Sequence, residues 1–147
     1  MNHAHFMHAA LEQARLGRAE GGIPIGCVLV RDNEIVATGR NRRVQQDSAV
    51  LHAEMDALET LGRRPGAWYD DVTLYTTLSP CPMCAGAILL YGIPRVVIGE
   101  NTSFMGDEAH LTARGVSLTV LDDADCRQAM TEFMRDEPRL WFEDIGR

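Results

Sequence analysis

The sequence of 147 residues predicts an α/β fold, a three-layer α-β-α sandwich around a five-stranded mixed sheet. Five apolar, β-branched runs occur along it, and most are separated by segments of helical spacing, which puts helices on both faces of a mainly parallel sheet. The first two runs are separated only by Asp32-Asn33, turn chemistry that makes a hairpin rather than a crossover. No repeat, low-complexity tract or Pro/Gly/Ser-rich linker interrupts the pattern, so 1–147 reads as one domain.

Each element follows in order. From Asn2 to Ala19, Phe6, Met7, Ala10, Leu11 and Ala14 recur at three- and four-residue spacings, and Gly21-Gly22 stops the helix. Ile23 to Arg31 and Glu34 to Arg40 are the hairpin strands. Ala49 to Leu61 has helical spacing through Leu51, Met55, Leu58 and Leu61, with Asp47 or Ser48 available as N-cap and Gly62 as terminator. Val72 to Thr77 is a buried strand. Pro80 stands where a helix can begin, and Met83 to Tyr91 is apolar nearly all round, so that helix is expected in the interior. Arg95 to Gly99 and Val116 to Leu121 are strands; Ala124 to Arg135 and Pro138 to Ile145 are helices.

Composition narrows the function classes. With 46% hydrophobic and 24% charged residues the chain is neither disordered nor membrane-embedded, and a domain of this length buries roughly 70% of its unfolded surface without staples. No uninterrupted apolar stretch reaches signal-peptide or membrane-span length, which points to a cytoplasmic protein whose four cysteines are reduced. A net charge of −7 repels a long polyanion, so a small neutral substrate suits the chain better than nucleic acid. Arg40, Arg42 and Arg43 cluster, and a solvated loop is the expected reading of that trio.

The chemistry lies in His52-Ala53-Glu54 and, beyond a strand, Pro80-Cys81-Pro82-Met83-Cys84. Two cysteines three apart at a helix start project to one side, where the helix dipole favours the thiolates that bind metal. His52 makes a third ligand. Three N/S ligands leave the fourth position of a tetrahedral zinc open, which separates a catalytic from a closed structural site. Glu54, two positions from His52, can move protons without capturing the metal. Taken alone, Cys81 and Cys84 also suit a redox pair or half a structural zinc knuckle. Cys27 and Cys126, in a strand and a distant helix, supply no fourth ligand.

The pattern H-x-E with P-C-x-x-C is the signature of zinc nucleobase deaminases. The whole chain resembles the fungal-type cytosine deaminases of the cytidine deaminase-like superfamily, through Gly21-Gly22-Ile23-Pro24-Ile25-Gly26, Thr73-Leu74-Tyr75-Thr76-Thr77-Leu78-Ser79-Pro80-Cys81, Tyr91-Gly92-Ile93-Pro94-Arg95 and Trp141-Phe142-Glu143-Asp144-Ile145-Gly146. That resemblance implies one zinc per chain on His52, Cys81 and Cys84, Glu54 as the acid-base group, a free nucleobase as substrate, a role in pyrimidine salvage and a homodimer. It further implies that Asn41 binds the pyrimidine carbonyl together with the backbone of Ala53. Asp144 accepts from the ring nitrogen, the carbonyl of Ser79 receives the exocyclic amine, and Phe104 and Trp141 close the pocket. Residue chemistry agrees: a carboxylate only accepts, so Asp144 demands an N–H that free cytosine carries and a nucleoside lacks. Ala53 departs from the glycine of the fungal enzymes.

Guanine and tRNA adenosine deaminases share both motif pieces. They tend to carry glutamate where this chain has Ser79, and the tRNA enzymes tend to end in a basic helix, unlike Phe142-Glu143-Asp144-Ile145-Gly146-Arg147. A non-catalytic zinc module is the rival of another class, and it has no use for Glu54.

Overall fold

Five strands, β1 (Gly26–Arg31), β2 (Glu34–Arg40), β3 (Val72–Leu78), β4 (Arg95–Glu100) and β5 (Ser117–Val120), form one mixed sheet in the order β2-β1-β3-β4-β5. The computed structural model describes residues 2–147; Met1, the first residue of the expected 1–147 domain, lies outside them. The helices are α1 (His3–Ala19), α2 (Ala53–Leu61), α3 (Pro82–Tyr91), α4 (Glu108–Ala113), α5 (Ala124–Asp136) and α6 (Pro138–Asp144).

The pleat sorts side chains between two layers. Val28, Val30, Tyr75 and Val97 pack with Phe6, Met7, Ala10, Leu11 and Ala14 of α1. Their neighbours Cys27, Leu29, Leu74, Val96 and Ile98 face the other way, onto Ala53 and Ala57 of α2 and Ala85 and Ile88 of α3. Strand β3 is buried along its whole length. Its threonines are satisfied inside: Thr77 Oγ1 accepts from Gly26 N at 3.1 Å, and Thr73 Oγ1 from Arg95 Nε at 2.9 Å.

The expectation of a mainly parallel sheet is corrected in one respect. Strand β1 pairs antiparallel with both β2 and β3, while β3–β4 and β4–β5 are parallel. The crossover through α2 does join two strands of like direction, β2 and β3, but β1 lies between them. Helix α2 begins at Ala53 rather than Ala49, with His52 and not Asp47 or Ser48 as its N-cap. Ser48 Oγ instead accepts from Val50 N and Leu51 N, which spends those donors on a turn. Strand β1 starts at Gly26, past Pro24, rather than at Ile23. Helix α4 and a 3-10 turn at Gly66–Asp71 are additions, each six residues long and too short to show a period.

Among the glycines that allow close contacts, two lie near the site. A Cβ at Gly39 would lie 2.3 Å from Ala57 N and 2.5 Å from Ala53 O, so β2 can press on the first turns of α2 only without one. A Cβ at Gly106 would lie 2.0 Å from the carbonyl oxygen of Pro80. Both contacts bear on the site.

Candidate active site

Two helix N-termini meet beyond the carboxyl end of β3, the side of an α/β sheet where ligands collect. His52 is the N-cap of α2 and Cys81 the N-cap of α3, both extended, with Pro82 opening α3. Cys84 follows one turn later and is fully buried. His52 Nδ1 lies 3.4 Å from Cys81 Sγ and 3.7 Å from Cys84 Sγ. A tetrahedral zinc with N at ~2.0 Å and S at ~2.3 Å requires N···S separations of about 3.5 Å. The donor set therefore fits zinc in both chemistry and spacing, and it is the cluster of metal-binding type found among the described residues.

Without metal the three groups share protons unevenly. A hydrogen bond from Cys84, and then His52, hold the Cys81 thiol down to about 4 against the opposing effect of burial. Burial pulls His52 down, but Asp144 and Cys81 outweigh it and carry the imidazole up to about 10. Cys84 rises well above the usual thiol range, because it donates to Cys81 and is buried. One thiolate is thus already present for a cation to meet.

Glu54, 4% exposed, lines the same cavity as His52 and Cys81. Burial lifts its carboxyl to about 7; the His52 cation opposes that rise and the Cys81 thiolate adds to it. A carboxyl poised near neutrality can both take and give a proton.

The cavity is completed by Ser79, Phe104, Trp141 and Asp144, with Ile25, Leu78 and Ile145 as apolar wall. Phe104 and Trp141 meet edge to face, ring centroids 6.0 Å apart. The Asp144 carboxylate spans several partners. Its Oδ2 accepts from Asn41 Nδ2 at 3.1 Å, and its Oδ1 faces His52 Nε2 at 3.3 Å and Arg43 Nη1 at 3.6 Å. Oδ1 is buried and has no partner of hydrogen-bonding geometry, so it can accept a further N–H. With Nδ1 turned to the sulfurs, His52 presents Nε2 to this carboxylate at 3.3 Å, a charge contact on the side where a metal-ligating imidazole is commonly oriented.

Asn41 and Ala53 are fully buried beside the cavity rather than on its wall, Asn41 one hydrogen bond behind Asp144. Asn41 Oδ1 accepts from Arg43 N at 2.9 Å and Nδ2 gives one N–H to Asp144, so the amide keeps a second N–H to offer a ligand. The structure thus brings His52, Glu54, Ser79, Cys81, Phe104, Trp141 and Asp144 to one cavity, with Cys84 buried against His52 and with Asn41 and Ala53 in the layer behind.

The arginine trio is not a solvated loop. Arg40 binds Glu20 and Gln13, Arg42 binds Asp56, and Arg43 reaches Glu143 and Asp144. Sequence reasoning also passed over Glu108. The Ser79 hydroxyl donates to Glu108 Oε2 at 2.5 Å and accepts from Gly106 N at 2.9 Å, which ties the loop bearing Phe104 to the strand end before Cys81. No local motif marks these partners, since each pairs residues at least 14 positions apart.

Known proteins agree with this geometry. Residues 1–100 match the family described as the cytidine and deoxycytidylate deaminase zinc-binding region. The chain is 51% identical over 141 residues to a cytosine deaminase of Candida albicans, covering 95% of this chain and 94% of that one. It is 39% identical to a tRNA-specific adenosine deaminase of Streptococcus pyogenes, covering 89% of each. Among solved structures, a tRNA:A34 deaminase superimposes with a TM-score of 0.72 at 28% identity, over 86% of this chain and 99% of that one. A guanine deaminase of Nitrosomonas europaea gives 0.69 at 25% identity, over 90% and 84%. The match spans most of the chain and reaches both motif pieces, so this protein belongs to the cytidine and deoxycytidylate deaminase zinc-binding family and is a zinc-dependent deaminase.

Proposed function

We propose that this chain, as one deaminase domain over its whole length, hydrolyses free cytosine to uracil and ammonia. The observation that carries the reading is Asp144, a buried carboxylate on the cavity wall whose Oδ1 lacks a hydrogen bond. A carboxylate in that place selects a ring N–H, which cytosine has and cytidine has lost to its sugar. The 51% identity to a cytosine deaminase supports the same choice over the more distant tRNA and purine enzymes.

His52, Cys81 and Cys84 would hold the zinc. When bound it supplies a Lewis acid that lowers the pKa of a water by many units, so that a nucleophile exists at neutral pH. Glu54 takes the proton released and delivers it to N3 of the pyrimidine, which makes C4 electrophilic. The water oxygen bonds to C4; Glu54 then takes that oxygen's remaining proton and passes it to the exocyclic nitrogen, so that the C4–N bond breaks, ammonia leaves and a carbonyl forms at C4, with the carbonyl of Ser79 accepting from the departing amine. Asp144 accepts from N1–H, while the free N–H of Asn41 and the backbone of Ala53 meet the carbonyl oxygen. Phe104 and Trp141 cover the ring and exclude bulk water, which strengthens each of these contacts.

The reaction suits pyrimidine salvage in the cytoplasm, and no described helix is long and apolar enough to cross a membrane. A homodimer is supported by Leu90, 75% exposed at the end of α3, and by the half-exposed Tyr91 beside it. Ammonia release from cytosine, guanine, cytidine and tRNA, measured on the zinc-loaded protein, tests the substrate. Cytosine is expected to exceed the others by orders of magnitude, and a preference for guanine or tRNA rejects the proposal. Light scattering on the eluting protein tests the dimer, which a monomer mass rejects.

A further inference from the structure

Asp56 lies outside the cavity, yet it grips the chain on both sides of Asn41. Its Oδ2 accepts from Arg40 N at 3.0 Å, and Arg42 Nε lies 2.9 Å from both carboxylate oxygens. Asp56 is itself only 6% exposed, so these contacts are shielded from water. Between the two arginines, Asn41 is the first residue after the edge strand β2, where no further strand holds the chain from outside.

The Asn41 side chain takes its direction from that segment. Its Oδ1 closes a turn on Arg43 N two residues on, so the backbone of 41–43 sets its rotamer. Its Nδ2 then orients Asp144 through the 3.1 Å bond to Oδ2. Asp56 stands on α2 four positions from His52 and two from Glu54. One rigid helix therefore carries a zinc ligand, the proton-transfer group and the anchor of the recognition segment.

We propose that Asp56 is a specificity-positioning residue. By fastening Arg40 and Arg42 to α2 it holds Asn41, and through Asn41 the Asp144 carboxylate, in register with His52 and Glu54. The ring N–H and neighbouring carbonyl of an oxo-pyrimidine are thereby read at a fixed distance from the reacting carbon. The inference rests on the free-pyrimidine reading given above and deepens it.

The test compares two competitive inhibitors of cytosine deamination by the zinc-loaded protein. Uracil carries both the 2-carbonyl and the N1–H; 4-pyrimidinone lacks the 2-carbonyl and, in its 3H form, the N1–H as well. In Asp56→Ala the inhibition constant of uracil is expected to rise about tenfold, the scale of one hydrogen bond to a charged group, while that of 4-pyrimidinone stays within about twofold. Arg42→Lys, whose single ammonium cannot match the guanidinium on two oxygens, is expected to shift the same ratio in the same direction by a smaller factor. It decides the matter if Asp56→Ala does not fold. Equal weakening of both inhibitors, or no change in their ratio, overturns the inference and leaves the substrate intact. Failure of the unmodified protein to deaminate cytosine overturns the substrate reading, and this inference with it.

Discussion

Glu54 stands between His52 and the cysteines on one side and the cavity on the other. Replacing it with glutamine keeps the shape and removes the exchangeable acid. Glu54→Gln is expected to retain zinc while turnover falls by at least ~10²–10⁴-fold, measured as ammonia release per bound metal; near-normal turnover at full zinc content rejects the assignment. The same variant has a pH signature in the metal-free protein. A carboxyl raised from 4.5 to about 7 on folding binds more protons in the folded than in the unfolded chain between those values. Its contribution to stability therefore falls as pH rises through that window, by about 3 kcal/mol in full. Denaturant unfolding of metal-free protein is expected to show the glutamine variant gaining on the wild type from pH 4.5 to 7. A constant gap would contradict it.

At the scale of elements, the site depends on α2 reaching β2 closely and on the Phe104 loop being tied down. Gly39→Ala places a methyl 2.3 Å from Ala57 N, a backbone atom that cannot step aside alone. The strain of such overpacking is typically about 1–3 kcal/mol, and α2 bears His52 and Glu54. Urea unfolding is expected to show that loss together with weakened zinc binding; a neutral result would mean that the helix shifts freely. The loop is bracketed by two carboxylates. Glu100 Oε2 accepts from Thr102 N and Ser103 N, and Glu108 accepts from Ser79 Oγ and Asn101 Nδ2. Glutamine at 108 turns one of those two acceptors into a donor facing a donor. Glu108→Gln is expected to speed hydrogen exchange at the Gly106 and Asp107 amides, which now bind Ser79 Oγ and Pro80 O, while β3 keeps its protection. Unchanged exchange in the loop would remove Glu108 from that role.

For the whole molecule, zinc held by His52, Cys81 and Cys84 would be both reagent and fastener, because those ligands stand at the starts of α2 and α3 across the end of β3. A metal that binds only the folded state adds RT ln(1 + [Zn]/Kd), about 4 kcal/mol at a thousandfold excess over Kd. Removal by a chelator is expected to abolish deamination and lower the unfolding temperature, and zinc to restore both; stability indifferent to chelation would argue against a joint held by His52, Cys81 and Cys84. The larger core is contiguous with this joint, since Ala53 and Ala85 lie in it, one from each helix.

Most of this architecture was legible in the sequence because its signals are local. Five apolar runs, the Asp32-Asn33 turn and the helical spacings each lie within a window of a few residues. The metal ligands were legible for the same reason, as residue types whose spacing at two helix starts has few other uses. Antiparallel pairing of β1 with β3 was not, because periodicity records which face a side chain takes and not which strand lies beside it. The start of α2 was misread because Ser48, a residue suited to cap a helix, closes a turn one step earlier instead. By itself the sequence determined an α/β zinc deaminase and singled out His52, Cys81, Cys84 and Glu54 as its candidate site. Only the tertiary structure decided that Arg42 answers to Asp56, Ser79 to Glu108, and Asp144 to both Asn41 and His52. Such pairs join segments distant in the chain, and nothing brings their charges and hydrogen bonds together until the sheet and its helices have packed.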